Sequence, residues 1–442
     1  MWVERKVCYA LRRLPVIRVI RRITGTTDPE AEIAEVGSAK RAERATFRHV
    51  FAVAEFRALW SAQMLSVAGD QLARVALTWL VYDRTRSALL AAITYVASIV
   101  PTFVGGVALS GLGDRFPRRQ VMIACDVIRA GLVIVMAVPG MPVAVLVVLL
   151  FAVTMVGAPF TSARAAIYPD ILAGDQYVLG TAVTLTTYQF AQVIGFAVGG
   201  TIVGIFGVRT SLIADAATFA GSALIVRWGV RARPAPGATG PDTGRRKSSP
   251  GAGVRAGTRM LIRNPALRTP LLFGWLAAFY NVPEGVVAPL ARMLGGGSAT
   301  VGLLLAAAAF GSVVGSIAFS RLVDPATRLR WMGPLAIGGS AVLALFFVRT
   351  DLLFALVILA ASGVFTCFQL AANAAFVSAA PPAQRSQAFG LAQGGMSLGQ
   401  GTLMVLAGAA AEHYAPTVVI AANGVIGTVA AAAVAVSWSR RA

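Results

Sequence analysis

What most limits how this chain can fold is a train of apolar stretches, each near the ~20 residues that an α-helix needs to cross a bilayer. Twelve can be marked along the 442 residues, over 59–82, 89–109, 121–138, 143–161, 179–206, 210–226, 269–290, 300–320, 331–348, 352–377, 388–411 and 416–437. One globular core has no use for so many long apolar runs. Charged residues make up 13% of the chain, against roughly a quarter in an ordinary soluble domain. In hydrocarbon every backbone polar group must be bonded within the protein, so a spanning segment is either a helix or a strand of a closed barrel. These segments lack the alternation of barrel strands. The expected fold is therefore all-α: a polytopic membrane protein with twelve transmembrane helices.

The formal net charge is +20, which in a soluble chain would suggest nucleic acid, but its placement argues otherwise. Of the 39 Lys and Arg, one side of the predicted bundle holds only Arg84, Arg86, Arg209, Arg292 and Arg349, and Arg74 and Arg129 lie within segments. All the others fall on the side shared by the amino terminus, the central loop and the carboxyl terminus. That asymmetry is the positive-inside pattern and puts both termini in the cytoplasm. A lipid bilayer explains the charge, and no nucleic-acid partner is expected. The dominance of Arg over Lys points to a bacterial plasma membrane. Cys8, Cys125 and Cys367 are scattered, with no spacing for a disulfide framework or a thiolate metal site.

The chain divides into a basic cytoplasmic amino-terminal segment (1–55), a first six-helix half (56–228), a Pro/Gly-rich cytoplasmic linker (229–267) and a second half (268–442). Arginines interrupt the stretch from Val7 to Ile23, so it is no signal peptide. Val7, Leu11, Leu14, Ile17 and Ile20 either form the apolar stripe of a helix on the inner leaflet or belong to a disordered basic tail. The halves are weak repeats offset by about 210 residues: Arg57 matches Arg268, and Leu179-Gly180 matches Phe389-Gly390. Two six-helix halves in parallel repeat, joined by a basic linker, resemble the major facilitator superfamily over residues 56–438.

The most specific local motif is S-G-L-G-D-R-F-P-R-R, from Ser110 to Arg119. It resembles the superfamily's G-x-x-x-D-R-x-G-R-R loop, with Asp114, Arg115, Arg118 and Arg119 in register, Gly111 beside the first glycine position and Pro117 in place of the second. The resemblance implies a cytoplasmic gate in which Arg118 pairs with Asp126 or Asp170; the alternative is a solvated loop. Segment 5 carries A-x-x-x-G-F-x-x-G-G from Ala191 to Gly200, similar to a motif of the superfamily's exporters, with Phe196 where a proline would stand. Segment 4 contains no arginine, which moves the resemblance toward bacterial siderophore exporters and macrolide-efflux proteins. A-F-G-L-A-Q entering segment 11 and Y-P-D-I-L after segment 4 are similar to that branch.

Embedded charges are costly and are functional candidates by default. Asp70 lies 13 residues into segment 1, near mid-membrane at ~1.5 Å per residue. Arg74, one turn on, offers it a neutralising ion pair. The repeat offset maps Asp70 onto Asn281, and Glu284 lies one turn beyond Asn281 with no partner on its own helix. A carboxylate left unpaired in hydrocarbon suits proton uptake and release, so Glu284 is the first proton-coupling candidate, Asp70 the second and Asp215 a third. Pro283 is expected to kink segment 7. Asp126 and Arg129, at i,i+3, read as a structural ion pair beside the gate.

Candidate cavity residues are the polar and aromatic side chains of otherwise apolar segments: Gln63, Gln71, Arg74, Gln189, Gln192, Tyr280, Asn281, Phe365, Gln369, Asn373 and Gln393. Each is also a candidate for helix-to-helix contact. The resemblance implies segments 1, 4, 7 and 10 around a central path. It further implies a monomer without cofactor, exporting a small organic molecule by alternating access in exchange for protons. An importer or uniporter has the same body plan. His49 and His413 are the only histidines and lie outside the segments, no metal site is expected, and no G-x-x-x-x-G-K-[ST] occurs, so neither a membrane enzyme with a catalytic set nor an ATP-driven pump is expected.

Overall fold

The computed structural model describes residues 47–109, 112–234, 261, 263–324, 327–348, 351–381 and 385–439, and their regular structure is entirely helical. A short α1 (Phe47–Ala52) leads into α2 (Ala54–Thr85), α3 (Ala88–Ala97), α4 (Val100–Ala108), α5 (Leu112–Arg115), α6 (Arg118–Met136), α7 (Val143–Ile171) and α8 (Asp175–Gly229). After the linker come α9 (Pro265–Trp275), α10 (Ala277–Tyr280), α11 (Val282–Gly285), α12 (Val287–Met293) and α13 (Ser298–Leu322). They are followed by α14 (Arg328–Ala341) with a 3-10 turn (Val342–Phe347), α15 (Leu352–Phe365), α16 (Phe368–Ala379), α17 (Arg385–Ala410) and α18 (Pro416–Ser439). The expected basic segment up to residue 46, and most of the linker, lie outside the described residues.

Each predicted segment coincides with helix, and the departures are at breaks and ends. Segments 5 and 6 are one run of helical residues, α8, whose 55 residues are far too many for one crossing. It doubles back at Gly207, where φ is 79° and ψ is 167°, a conformation open to glycine. The reversal is visible in the packing: Gly195 abuts Gln71 and Asp215 abuts Gly69, so both limbs flank one stretch of α2. Segment 7 breaks on either side of α11, where Pro283 and Pro289 withhold backbone donors. Among the described residues seven helices are long and apolar enough to cross a membrane, or eight if α9–α11 and α12, bent by 43°, form one broken span. Side-chain caps start several helices: the Leu90, Phe354 and Ala266 amides donate to the Ser87, Asp351 and Asn264 side chains.

Segment 4 requires a correction. It runs on to Ile171, so Arg164 lies inside α7 and is buried beside the Tyr168 ring, 6.0 Å from its centroid. The expectation of an arginine-free fourth helix fails because the apolar run ends before the helix does.

Small residues bring the helices together. A Cβ on Gly311 would lie 1.9 Å from the Ala360 carbonyl oxygen, and one on Gly363 2.2 Å from that of Ala308, so α13 and α15 touch backbone to backbone. The largest apolar core joins α11, α12, α13, α15, α17 and α18 to Val75, Ala91, Tyr95 and Phe196 of α2, α3 and α8. Val148, Leu185, Ile205, Leu224, Leu353 and Val429 are among many large apolar side chains on the outside. Water would make such a surface an aggregation hazard, whereas a bilayer makes it the normal exterior.

Candidate functional site

A cavity of about 1150 Å³ lies between the amino-terminal helices (α2–α8) and the carboxy-terminal ones (α9–α18). Its wall comes from the middle of the bundle and from the end that carries α1, through residues such as Gly106, Thr161, Ser316 and Phe389. Side chains from α2, α3, α4, α7, α8, α10, α11, α13, α15, α16 and α17 reach it. The expectation of a path enclosed by segments 1, 4, 7 and 10 is thus too narrow. Segments 2, 5, 8 and 11 also contribute to the wall.

Two charged side chains face this space, Arg74 from α2 and Glu284 from α11. Neither forms an ion pair within 4.0 Å among the described residues. Tyr95 of α3 joins them across the two sets of helices. Its hydroxyl donates to Glu284 Oε2 at 2.9 Å, and its ring centroid lies 5.7 Å from the Arg74 guanidinium carbon. Arg74 also lies 5.9 Å from the Phe196 ring and donates to the Ser98 carbonyl at 3.4 Å. The two formal charges cancel, and around them the wall is rich in neutral donors and acceptors. Gln369 donates to the Tyr280 hydroxyl at 2.7 Å and to the Gly274 carbonyl at 3.1 Å, and Gln192 contacts Tyr188 at 3.4 Å. Such a mixture of amides, hydroxyls and rings suits an amphiphilic solute.

The structure gathers Arg74, Gln189, Gln192, Tyr280, Asn281, Glu284, Gln369 and Gln393 on the wall. It places others elsewhere. Gln63 and Gln71 are buried within the amino-terminal helices, Gln71 wedged against Gly195 of α8. Phe365 points away and packs on Gly338 and Gly339 of α14. Asn373 lines a side chamber of about 270 Å³ with Trp275, Phe376 and Phe389, adjoining the main cavity at Gln369 and Gln393. Asp70 and Asp215 do not reach the cavity. Asp70 pairs with Arg129 at 2.5 Å, not with Arg74, because α6 presents its guanidinium between α2 and α8. Glu284, without an obvious partner on its own helix, is hydrogen-bonded through Tyr95, a residue of another helix that spacing along one helix cannot reveal.

At the α1 end, Arg118 binds Asp170 and the Ala166 carbonyl, both at 2.8 Å. Arg119 donates to the Arg227 carbonyl, and Arg115 is exposed. These links tie α6 to α7 and α8 within the amino-terminal set. Asp126 is not Arg118's partner; it lies deep in α6, 3.8 Å from Arg129. Gly111 and the Asp114 side chain are outside the described residues. Sequence reasoning missed Tyr95, Tyr188 and Arg164. A lone Tyr in the apolar run A-A-I-T-Y-V-A was the available signal, since a buried hydroxyl needs a partner. Among the described residues no three His, Cys, Asp or Glu side chains come together to hold a metal ion.

The pattern of the Major Facilitator Superfamily matches residues 59–288 and 284–442, nearly all of the chain. The chain belongs to that superfamily. Among curated relatives of this superfamily member, the multidrug efflux pump Tap of Mycolicibacterium fortuitum is 25% identical over 303 residues, 66% of this chain and 72% of that protein. Macrolide efflux protein A of Streptococcus pyogenes is 24% identical over 251 residues, 54% of this chain and 59% of that protein. Solved structures share the superfamily fold at low identity. A POT family transporter in complex with a thioalcohol-conjugated peptide has a TM-score of 0.69 at 10% identity, covering 87% of this chain and 96% of its own. A bacterial homologue of the human lysosomal transporter Spinster, inward-facing and occupied, has a TM-score of 0.64 at 15% identity, covering 90% and 96%. This superfamily member is therefore a multi-pass membrane transporter.

Proposed function

We propose that this transporter exports small organic molecules from a bacterial cell by alternating access, exchanging each for protons that bind Glu284. Twelve spans in two six-helix halves, with both termini in the cytoplasm, rock about the central cavity, and the monomer is the working unit. The relatives named for multidrug and macrolide efflux support a drug-like passenger. The observation that carries the reading is the Tyr95 hydroxyl on Glu284, a hydrogen bond across the halves at the cavity wall with Arg74 behind it.

Ionised Glu284 accepts that bond and faces Arg74, which favours the arrangement with the cavity open at the α1 end. A proton on Glu284 removes the charge that Arg74 and Tyr95 hold, and frees the halves to move. Cargo bound in the cavity and a proton on Glu284 thus favour different arrangements, which is the differential binding that any coupled exchange requires. At the α1 end, Arg118, Arg119 and Asp170, with Gly111, Asp114 and Arg115 of the same motif, serve as the cytoplasmic gate. Cells stripped of their own pumps and expressing the chain should accumulate less radiolabelled macrolide, and collapsing the proton gradient should erase the difference. Glu284→Gln should abolish export while keeping binding of the macrolide; export at the unmodified rate by that variant overturns the coupling.

A further inference from the structure

Away from the cavity, α2, α6 and α8 enclose three carboxylates around one cation. Asp70 comes from α2, Asp126 and Arg129 from α6, and Asp215 from the second limb of α8. Asp126 is 0% exposed, Asp215 1% and Arg129 4%. Arg129 spends its guanidinium on Asp70 at 2.5 Å and on the Ser66 hydroxyl at 3.1 Å, while the Phe219 ring covers its face at 3.9 Å. Asp126 stays 3.8 Å from it, and neither of its oxygens has a hydrogen-bond partner. Asp215 has one oxygen within 3.4 Å of the Thr218 hydroxyl and the other without a partner. The Ser222 hydroxyl faces Asp126 as its polar neighbour, outside close hydrogen-bond geometry.

Charge balance makes this arrangement informative. Three carboxylates against one guanidinium leave two surplus negative charges sealed in hydrocarbon, which desolvation forbids unless they are neutralised. Among the described residues the next cation along α2 is Arg74, which lines the cavity and feels both Asp70 and Glu284. Counting it adds one guanidinium and one carboxylate, so two surplus negative charges remain. The α7 face toward Arg129 is Gly157, and Cys125 is the remaining ionisable neighbour on α6. A metal ion is unsuited, because among the described residues these carboxylates do not converge as a ligand set. Asp70 is the natural anion of the pair, being nearest to Arg129.

We propose that the amino-terminal half contains a second proton-binding site, in which Asp126 and Asp215 are both neutral acids and Asp70 alone neutralises Arg129. Its ligand is the proton. Unpartnered oxygens then become acid O–H groups, and Ser222 acquires a donor to accept from. Asp70, 34% exposed at its side chain, is the member through which the site exchanges protons. The site stands whether or not Glu284 couples transport.

Infrared spectroscopy of the full chain in lipid tests this directly, since a neutral acid has a carbonyl stretch well separated from carboxylate bands. Measured above neutral pH in the Glu284→Gln background, which removes the cavity carboxyl, the acid band should be present. Adding Asp126→Asn or Asp215→Asn should each remove one of two equal shares, and both together should remove all of it. Because an amide mimics a neutral acid in shape and charge, each single Asn variant should keep the unfolding temperature of its parent. Absence of the acid band in the Glu284→Gln protein overturns the proposal. So does a band undiminished by both Asn changes, or failure of both single Asn variants to fold.

Discussion

Glu284 and Tyr95 stand 189 positions apart and meet only because two sets of helices close on each other. Hydrogen bonds to a charged group contribute about 1.5–3 kcal/mol. Tyr95→Phe, which keeps the ring against Arg74, should therefore lower drug export by about tenfold or more and leave the folded yield unchanged; unaltered efflux by drug accumulation would detach Tyr95 from the mechanism. This scale was the least legible in the sequence. Composition along a helix drew attention to Glu284, Arg74 and Asn281, which line the cavity, because an ionisable or amide group in an apolar run is visible by itself. It named the wrong partner for Asp70, because i,i+4 spacing reports one helix face and not the side chain a neighbouring helix brings to it. Arg129 wins that competition from α6, at 2.5 Å. The same limit applies to Phe365: in sequence it is an aromatic in segment 10, and only packing sends it toward Gly338 rather than the cavity.

Helices were the easiest elements to read, since twenty apolar residues in lipid have hardly any other way to satisfy their backbones. Their ends were harder. Hydropathy falls at the first charge, but a helix continues while its hydrogen bonds do, and α7 carries buried Arg164 past the point where the apolar run stops. Breaks were legible where proline marks them, as at Pro283, and hidden where none does, as between α15 and α16. Contacts between elements rest on the small residues that the sequence supplies in abundance, and those contacts carry a stability prediction. Gly311→Val would push side-chain carbon into the Ala360 carbonyl, an overpacking that costs upwards of about 3 kcal/mol. Thermal unfolding in detergent should show a markedly lower midpoint for that variant, whereas Gly274→Ala, where no atom stands within 4 Å of the added carbon, should be close to the parent.

Across the whole molecule, the end remote from α1 is held shut by contacts between the two sets of helices. Glu412, in the turn between α17 and α18, accepts the Ser87 hydroxyl at 2.7 Å and the Leu89 amide at 2.8 Å, capping α3 from the opposite set. The Ser87 hydroxyl, then the Leu89 amide, hold the Glu412 carboxyl below the usual glutamate range. A depressed value means that the latch is fully present above that range and is lost as pH falls through the lowered value. Spin labels at the remote ends of α3 and α17 should report a longer distance on strong acidification, and at every pH in Glu412→Ala. An invariant distance in both experiments would remove the latch from the gate.

The neighbouring closure is of another kind. Gly200 of α8 and Gly302 of α13 press backbone on backbone, with 2.8 Å from the Cα of either one to the Cβ that the other lacks. Interlocked side chains must withdraw from their sockets before two surfaces separate, and that withdrawal slows separation even when its final free energy is small. Bare glycine backbones have nothing to withdraw. This seam can therefore seal against leakage and still part without side chains having to withdraw from one another.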